Sequence, residues 1–315
     1  MFEETEGRNE IVRWDSVGFV GLGDLGGAIA LRLLDCDVPL TVFDPDKDAM
    51  DRVTDRGGRG VQSPRAVAAL SDLVMCCLPN PRTLKEVVLG ENGLIHGLCT
   101  GSLVMDLSTS GPEAVREVGE ALAAKEVSMI EGAVGKGPWA AEKGDLTIML
   151  GGDQAICREI EKFIRLVGSN VYYCGPLGAG QTVKVINNLV SCANLAVAIE
   201  AITLAIKSGV DLDIVTEVLP QTAADSWHLR NTVINKLLKH SDFTPIFKLK
   251  LAQKDLQLAV DMAKKLDAPH ACASGALAYF NQGVEKGMED LDQGAILLTA
   301  NPDFGSSGEA SEIEN

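Results

Sequence analysis

Histidine is scarce in this sequence, and nothing in it is laid out for metal. His96, His228, His240 and His270 are the only histidines, and no two of them stand at ligand spacing. The eight cysteines are scattered, with Cys76 and Cys77 adjacent and no C-x-x-C pair. No metal site and no disulfide scaffold is therefore expected. Basic charge is also short. Lys and Arg number 28 against 44 Asp and Glu, and the net charge of −16 disfavours nucleic acid or an anionic membrane as a partner. The first residues carry acids (Glu3, Glu4, Glu6 and Glu10) and no apolar run, so no signal peptide is expected. The cysteines then read as reduced, in a cytoplasmic protein. The most apolar long segment, Val183 to Ile206, is interrupted by Lys184, Asn187, Asn188 and Glu200. It reads as a buried helix and not as a membrane span.

What the sequence does hold begins at Ser16. A short apolar run, Val17 to Val20, breaks into Gly21-Leu22-Gly23-Asp24-Leu25-Gly26 and opens into Ala28-Ile29-Ala30-Leu31. This is strand, tight turn and helix with G-x-G-x-x-G spacing. The first glycine permits the turn, the second admits a pyrophosphate, and the third lets helix and strand approach. A second apolar run, Leu40 to Phe43, ends in Asp44, 23 residues after Gly21, where a carboxylate accepting from an adenosine ribose belongs. The turn from Gly21 to Gly26, including Leu22, Asp24 and Leu25, is thus expected to bind a dinucleotide, with Asp44 on its ribose.

A chain of 315 residues is long enough for about two domains. After an extension at 1–15, strand-like runs alternate with helical patterns up to 177. Strands are expected at 16–21, 40–43, 73–78, 103–107, 127–131, 145–150 and 170–174. Helices between them are expected at about 26–36, 47–56, 64–70, 82–89, 112–124 and 153–166. This is the signature of a Rossmann doubly wound sheet. Pro79 closes the third strand, and Pro112 starts a helix after a Ser108-Thr109-Ser110 cap. From 178 to 300 only helical spacing recurs: 179–207, 211–218, 226–239, 249–265, 270–286 and 291–298. The expected fold is an α/β Rossmann domain followed by an all-α domain led by a long inter-domain helix, with an acidic tail at 301–315.

That long helix opens Gly178-Ala179-Gly180-Gln181-Thr182-Val183-Lys184-Val185-Ile186-Asn187-Asn188. Lys184 and Asn188 share one face at i,i+4, with Asn187 beside them. A lysine and two amides are costly to bury without partners, so the apolar neighbours make this group a candidate site.

Taken with Cys77-Leu78-Pro79, Asp106-Leu107-Ser108-Thr109 and Lys254-Asp255-Leu256, these motifs make the chain resemble the β-hydroxyacid dehydrogenase family, which includes 3-hydroxyisobutyrate dehydrogenases. The resemblance covers about 16–298. It implies a hydride-transfer enzyme acting on a small anionic hydroxy acid or semialdehyde, assembled as a dimer or tetramer with itself. In that family the lysine matched by Lys184 is catalytic, a general acid/base at the hydroxyl or carbonyl oxygen. Asn187 and Asn188 would position substrate, Lys254 would close over the nicotinamide, and Ser108 would contact substrate. Thr109, Leu78 and Pro79 would border the cofactor. Asp44-Pro45, with no Arg in the next two positions, would repel a 2′-phosphate, so NAD is expected over NADP, although Lys47 and Arg52 lie near.

One loop departs from the family pattern. Where relatives read Asp-Ala-Pro-Val-Ser-Gly-Gly, this chain has Glu131-Gly132-Ala133-Val134-Gly135-Lys136-Gly137. Gly135, Lys136 and Gly137 are expected at the substrate's acid group. The cation there either points to solvent or meets a strong anion such as a sulfonate, since relatives that reduce sulfolactaldehyde carry a similar Val-Gly-Arg. Trp139 walls that pocket or simply packs. Three rival readings stand beside this one. An imine reductase usually replaces the lysine, which Lys184 argues against. A dinucleotide sensor without turnover would not need Lys184, Asn188 and Lys254. A methyltransferase would want an acid where Val20 ends the first strand. Structural roles are expected for His228, Asp255, Asp290 and Asp292.

Overall fold

The computed structural model describes residue 14, residues 16–302 and residue 304. Apart from Trp14, Asn301, Pro302 and Phe304, the expected extension and acidic tail lie outside the described residues. The chain divides into two compact units, one running to Lys184 and the other from Val185.

The first unit is built on β1 (Val17–Val20), β2 (Leu40–Phe43), β3 (Arg59–Gly60), β4 (Leu73–Cys76), β5 (Leu103–Asp106), β6 (Ser128–Gly135), β7 (Thr147–Gly151) and β8 (Asn170–Gly175). They form one sheet in the order β3-β2-β1-β4-β5-β6-β7-β8. The helices are α1 (Asp24–Asp35), α2 (Lys47–Thr54), α3 (Pro64–Ala68), α4 (Pro81–Leu89), α5 (Pro112–Ala123), α6 (Pro138–Glu142) and α7 (Gln154–Ile164). Strand period explains why both faces are covered. Val17, Phe19, Leu73, Met75, Leu103 and Met105 join one core, while Val20, Val74, Cys76 and Val104 join the other. The order reverses between β1 and β4, the switch point where open α/β sheets take their ligands.

The strands pair in parallel except at one joint. β6 pairs with β7 antiparallel, because the link from Lys136 to Leu146 holds only the five-residue α6, too little chain for a crossover. β3 and α6 were not expected. Two and five residues give too short a pattern to read.

The second unit is helical: most of α8 (Ala179–Ser208), α9 (Leu212–Val218), a π-helix (His228–Leu238), α10 (Leu249–Lys265), α11 (Ala271–Glu285) and α12 (Leu297–Ala300). Leu195, Ile199 and Ile202 of α8 meet Leu229, Val233 and Leu237 of the π-helix, with Leu256 of α10 and Phe280 of α11. Repeats of four residues suit an α-helix and a wider π-helix alike, so the spacing predicted helix here but not its type. α8 is long and apolar enough to cross a membrane by length and composition, and a third of its most apolar stretch is buried. The buried helix expected from the sequence is buried along one face only. Its other face exposes Ile186, Val190, Val197 and Leu204.

Candidate active site

The β1–α1 turn carries the first part of the site. Gly21 has φ 93°, and a Cβ there would overlap the Cys77 carbonyl oxygen just beyond β4. A Cβ on Gly26 would overlap the Gly21 carbonyl oxygen. Gly23 is different, because its missing side chain would meet nothing within 4 Å. Gly23 is also the N-cap of α1, and no side chain caps that helix. Open space beside the free amides of a twelve-residue helix fits a pyrophosphate. Asp24 is exposed and Leu25 half-buried, while Leu22 is fully buried, which leaves only its backbone at the turn.

Asp44, at the end of β2, reaches this turn. Its Oδ2 accepts from the Leu22 N–H at 2.6 Å and its Oδ1 from the Asp46 N–H at 2.8 Å. The Arg52 guanidinium donates to the Leu22 carbonyl at 3.1 Å, and Lys47 is paired with Asp51.

The carboxyl ends of β4 and β5 supply the next group. The Leu78 N–H donates to Ser108 Oγ at 2.7 Å, and Ser108 is buried. That hydroxyl therefore ties two loops together, a contact the sequence did not show. Pro79 is exposed and Thr109 half-buried. The expected serine cap of α5 is not formed. Gly111 is the N-cap, and the amides of Ser110 and Gly111 donate to Gln181 Oε1, each at 3.0 Å. Gln181 Nε2 donates to the Ser108 carbonyl at 2.9 Å. Gln181 is fully buried, and its three bonds clamp the 108–111 loop to the first turn of α8, one turn before half-buried Lys184.

Gly135, Lys136 and Gly137 stand at the carboxyl end of β6. Lys136 has φ 70°, a conformation that costs a side chain and is free to glycine. Its Nζ is paired with Asp145 at 2.6 Å, and Ser169 Oγ donates to the same carboxylate at 2.6 Å. Trp139 is exposed.

In the second unit Asn187 Nδ2 donates to Asn188 Oδ1 at 2.8 Å, and Asn188 Nδ2 to Asp255 Oδ2 at 2.5 Å. Lys254 Nζ lies 2.8 Å from Asp255 Oδ1. Two expected site residues, Asn188 and Lys254, thus meet at Asp255, with Asn187 joined through Asn188; Asp255 is buried, where the sequence implied only a local role. His228 bridges Ser191 Oγ at 2.7 Å and Thr232 Oγ1 at 2.9 Å, and burial lowers its pKa to about 4. Both of its ring nitrogens are thus engaged inside the helical unit. Among the described residues no cluster of His, Cys, Asp or Glu could hold a metal ion.

Known proteins resemble the chain over nearly its whole length. Residues 16–175 match the model of the NAD binding domain of 6-phosphogluconate dehydrogenase. Residues 178–299 match that described as NAD-binding of NADP-dependent 3-hydroxyisobutyrate dehydrogenase. The chain is 33% identical over 297 residues to a probable mitochondrial 3-hydroxyisobutyrate dehydrogenase of Dictyostelium discoideum, covering 93% of this chain and 92% of that one. It is 32% identical over 282 residues to 3-sulfolactaldehyde reductase of Escherichia coli, covering 90% and 94%. A crystal structure of 3-hydroxyisobutyrate dehydrogenase from Salmonella typhimurium superposes with a TM-score of 0.81 at 30% identity, covering 90% and 99%.

Proposed function

The chain belongs to the β-hydroxyacid dehydrogenase family, and we propose that it interconverts a short 3-hydroxy acid and its semialdehyde with NAD, Lys184 acting as general acid and base. The observation that carries this reading is the Gln181 clamp. It fixes the start of the lysine's helix to the loop after β5, at the same carboxyl edge of the sheet as the glycine turn and Asp44. When bound, the nicotinamide supplies the acceptor or donor for the hydride. Lys184 Nζ takes the hydroxyl proton during oxidation and returns it to the carbonyl oxygen during reduction. Asn188, one turn further along α8, offers an amide whose orientation Asp255 sets, and Lys254 is steadied by the same carboxylate.

The backbone around Gly23 and the first turn of α1 would hold the pyrophosphate. Asp44 would accept from the ribose and repel a 2′-phosphate, which supports NAD over NADP. Substrate choice rests on Gly135 to Gly137. Lys136 favours a sulfonate or other strong anion as a second reading, one that must displace Asp145 from its ammonium group. The eight free cysteines support a reducing, cytoplasmic setting. The exposed apolar face of α8 supports self-association.

The test follows reduced nicotinamide over paired short 3-hydroxy carboxylates and sulfonates, with NAD and NADP in separate arms. Lys184→Ala should lower kcat by roughly 100-fold or more while NAD still binds. A mutant as active as wild type would overturn the assignment of Lys184, and Asp44→Ala should narrow the preference for NAD.

A further inference from the structure

Strand β6 carries a carboxylate inside an otherwise apolar run. Glu131 is fully buried, as are its neighbours from Met129 to Gly135. Its Oε1 accepts from the Gly178 N–H at 2.9 Å and the Gln181 N–H at 3.1 Å, and the Gly180 N–H bonds the same carboxylate. Its Oε2 has no hydrogen-bond partner among the described residues. Two glycines make the room. A Cβ on Gly151, opposite Glu131 in the β6–β7 register, would overlap Oε1. A Cβ on Gly180 would stand 3.1 Å from it and overlap the Met149 carbonyl oxygen. A buried carboxylate is expensive, and here its bonds go to the Gly178 amide just before α8 and to amides of its first turn, which have no partner within the helix.

We propose that Glu131 is a positioning residue for the reaction, anchoring the first turn of α8 to β6 so that the Gln181 clamp and, through it, Lys184 keep a fixed place relative to the 108–111 loop. This rests on the reading of Lys184 as the acid/base. Gln181 is the link between the two. Its backbone amide is held by Glu131, while its side chain grips Ser108, Ser110 and Gly111. Without the carboxylate the helix start is free to fray, and a small displacement of a catalytic group is enough to cost rate.

The groups facing Glu131 are Asp106, its register partner on β5, and the thiols of Cys157 on α7 and Cys174 on β8. Burial, opposed by the helix amides and reinforced by Asp106, raises the Glu131 pKa to about 7. The anchor therefore changes charge near neutrality, which gives the position a signature that packing alone would not have.

The experiment compares full-length wild type, E131A and E131Q by amide exchange over 178–184, NAD affinity, and kcat and KM as functions of pH. E131A should lose exchange protection in the first turn of α8 and lose roughly 10- to 100-fold in kcat, with NAD affinity unchanged. E131Q keeps the acceptor at Oε1, so it should restore protection and most of kcat while losing any limb of the pH profile near neutrality. If E131A does not fold, E131D, which withdraws the carboxylate by one methylene, is read the same way with smaller losses. Unchanged protection, or lost protection with kcat intact per folded molecule, overturns the proposal. Wild-type protein that oxidises none of the acids overturns the dehydrogenase reading alone. Exchange in E131A then decides the anchor, upheld by lost protection and overturned by intact protection.

Discussion

Gly23 and Gly26 sit three residues apart in one motif and do different work. Gly26 is needed by the protein itself, since any Cβ there overlaps the Gly21 carbonyl oxygen, and backbone cannot swing aside as a side chain can. Gly26→Ala should lower stability by about 2 kcal/mol or more, measured as a fall in unfolding midpoint. Gly23 has φ −58°, which alanine adopts freely, and open space where its Cβ would be. Gly23→Ala should therefore fold with an unchanged midpoint and bind NAD at least roughly tenfold more weakly, a methyl group now standing where the cofactor approaches. Cofactor titration of both variants separates the two roles. Equal affinity in Gly23→Ala and wild type would mean that the pyrophosphate does not lie there.

At the scale of elements, the strands and long helices were legible because their patterns are long and repeat: Leu249–Lys265 appears as expected, and β1, β2 and α1 agree to within a few residues. The candidate site was legible only where residues near in sequence carry it. Gly21 to Gly26, Asp44 and the Lys184 stripe are of that kind. Glu131, Gln181 and Asp255 act across 47 to 73 positions, and no local pattern marks which buried polar group will meet which amide.

His228 shows the same limit. Its sequence context gives a helix, while the structure gives a π-helix joined to α8 through Ser191. A pH dependence follows. Above its ordinary pKa of roughly 6.5 this histidine is neutral in native and unfolded chains alike and costs nothing. As pH falls below that, the unfolded chain takes up a proton that native His228, titrating near 4, refuses. Stability of the helical unit is lost over that window, by up to about 3 kcal/mol. His228→Gln removes the loss. Denaturant midpoints of wild type and variant should differ in their change between neutral and acidic pH, wild type falling further.

For the molecule as a whole, α8 poses a covering problem. One face is buried by its own unit through Leu195, Ile199 and Ile202. The other exposes Ile186, Val190, Val197 and Leu204, at spacings of four and seven that form one seam, with Val197 57% and Leu204 68% exposed. Such a seam is costly to leave wet, and at a net charge of −16 an anionic surface is a poor cover for it. Under the self-association proposed above, a two-fold contact would set the same apolar seam against itself. Val197→Glu with Leu204→Glu should then convert a dimer or tetramer to monomer in sedimentation. Each substitution sets like charges across the two-fold, while costing the single chain little because both side chains already face solvent. Wild-type protein that sediments as a monomer at micromolar concentration would rule the seam out as a self-contact.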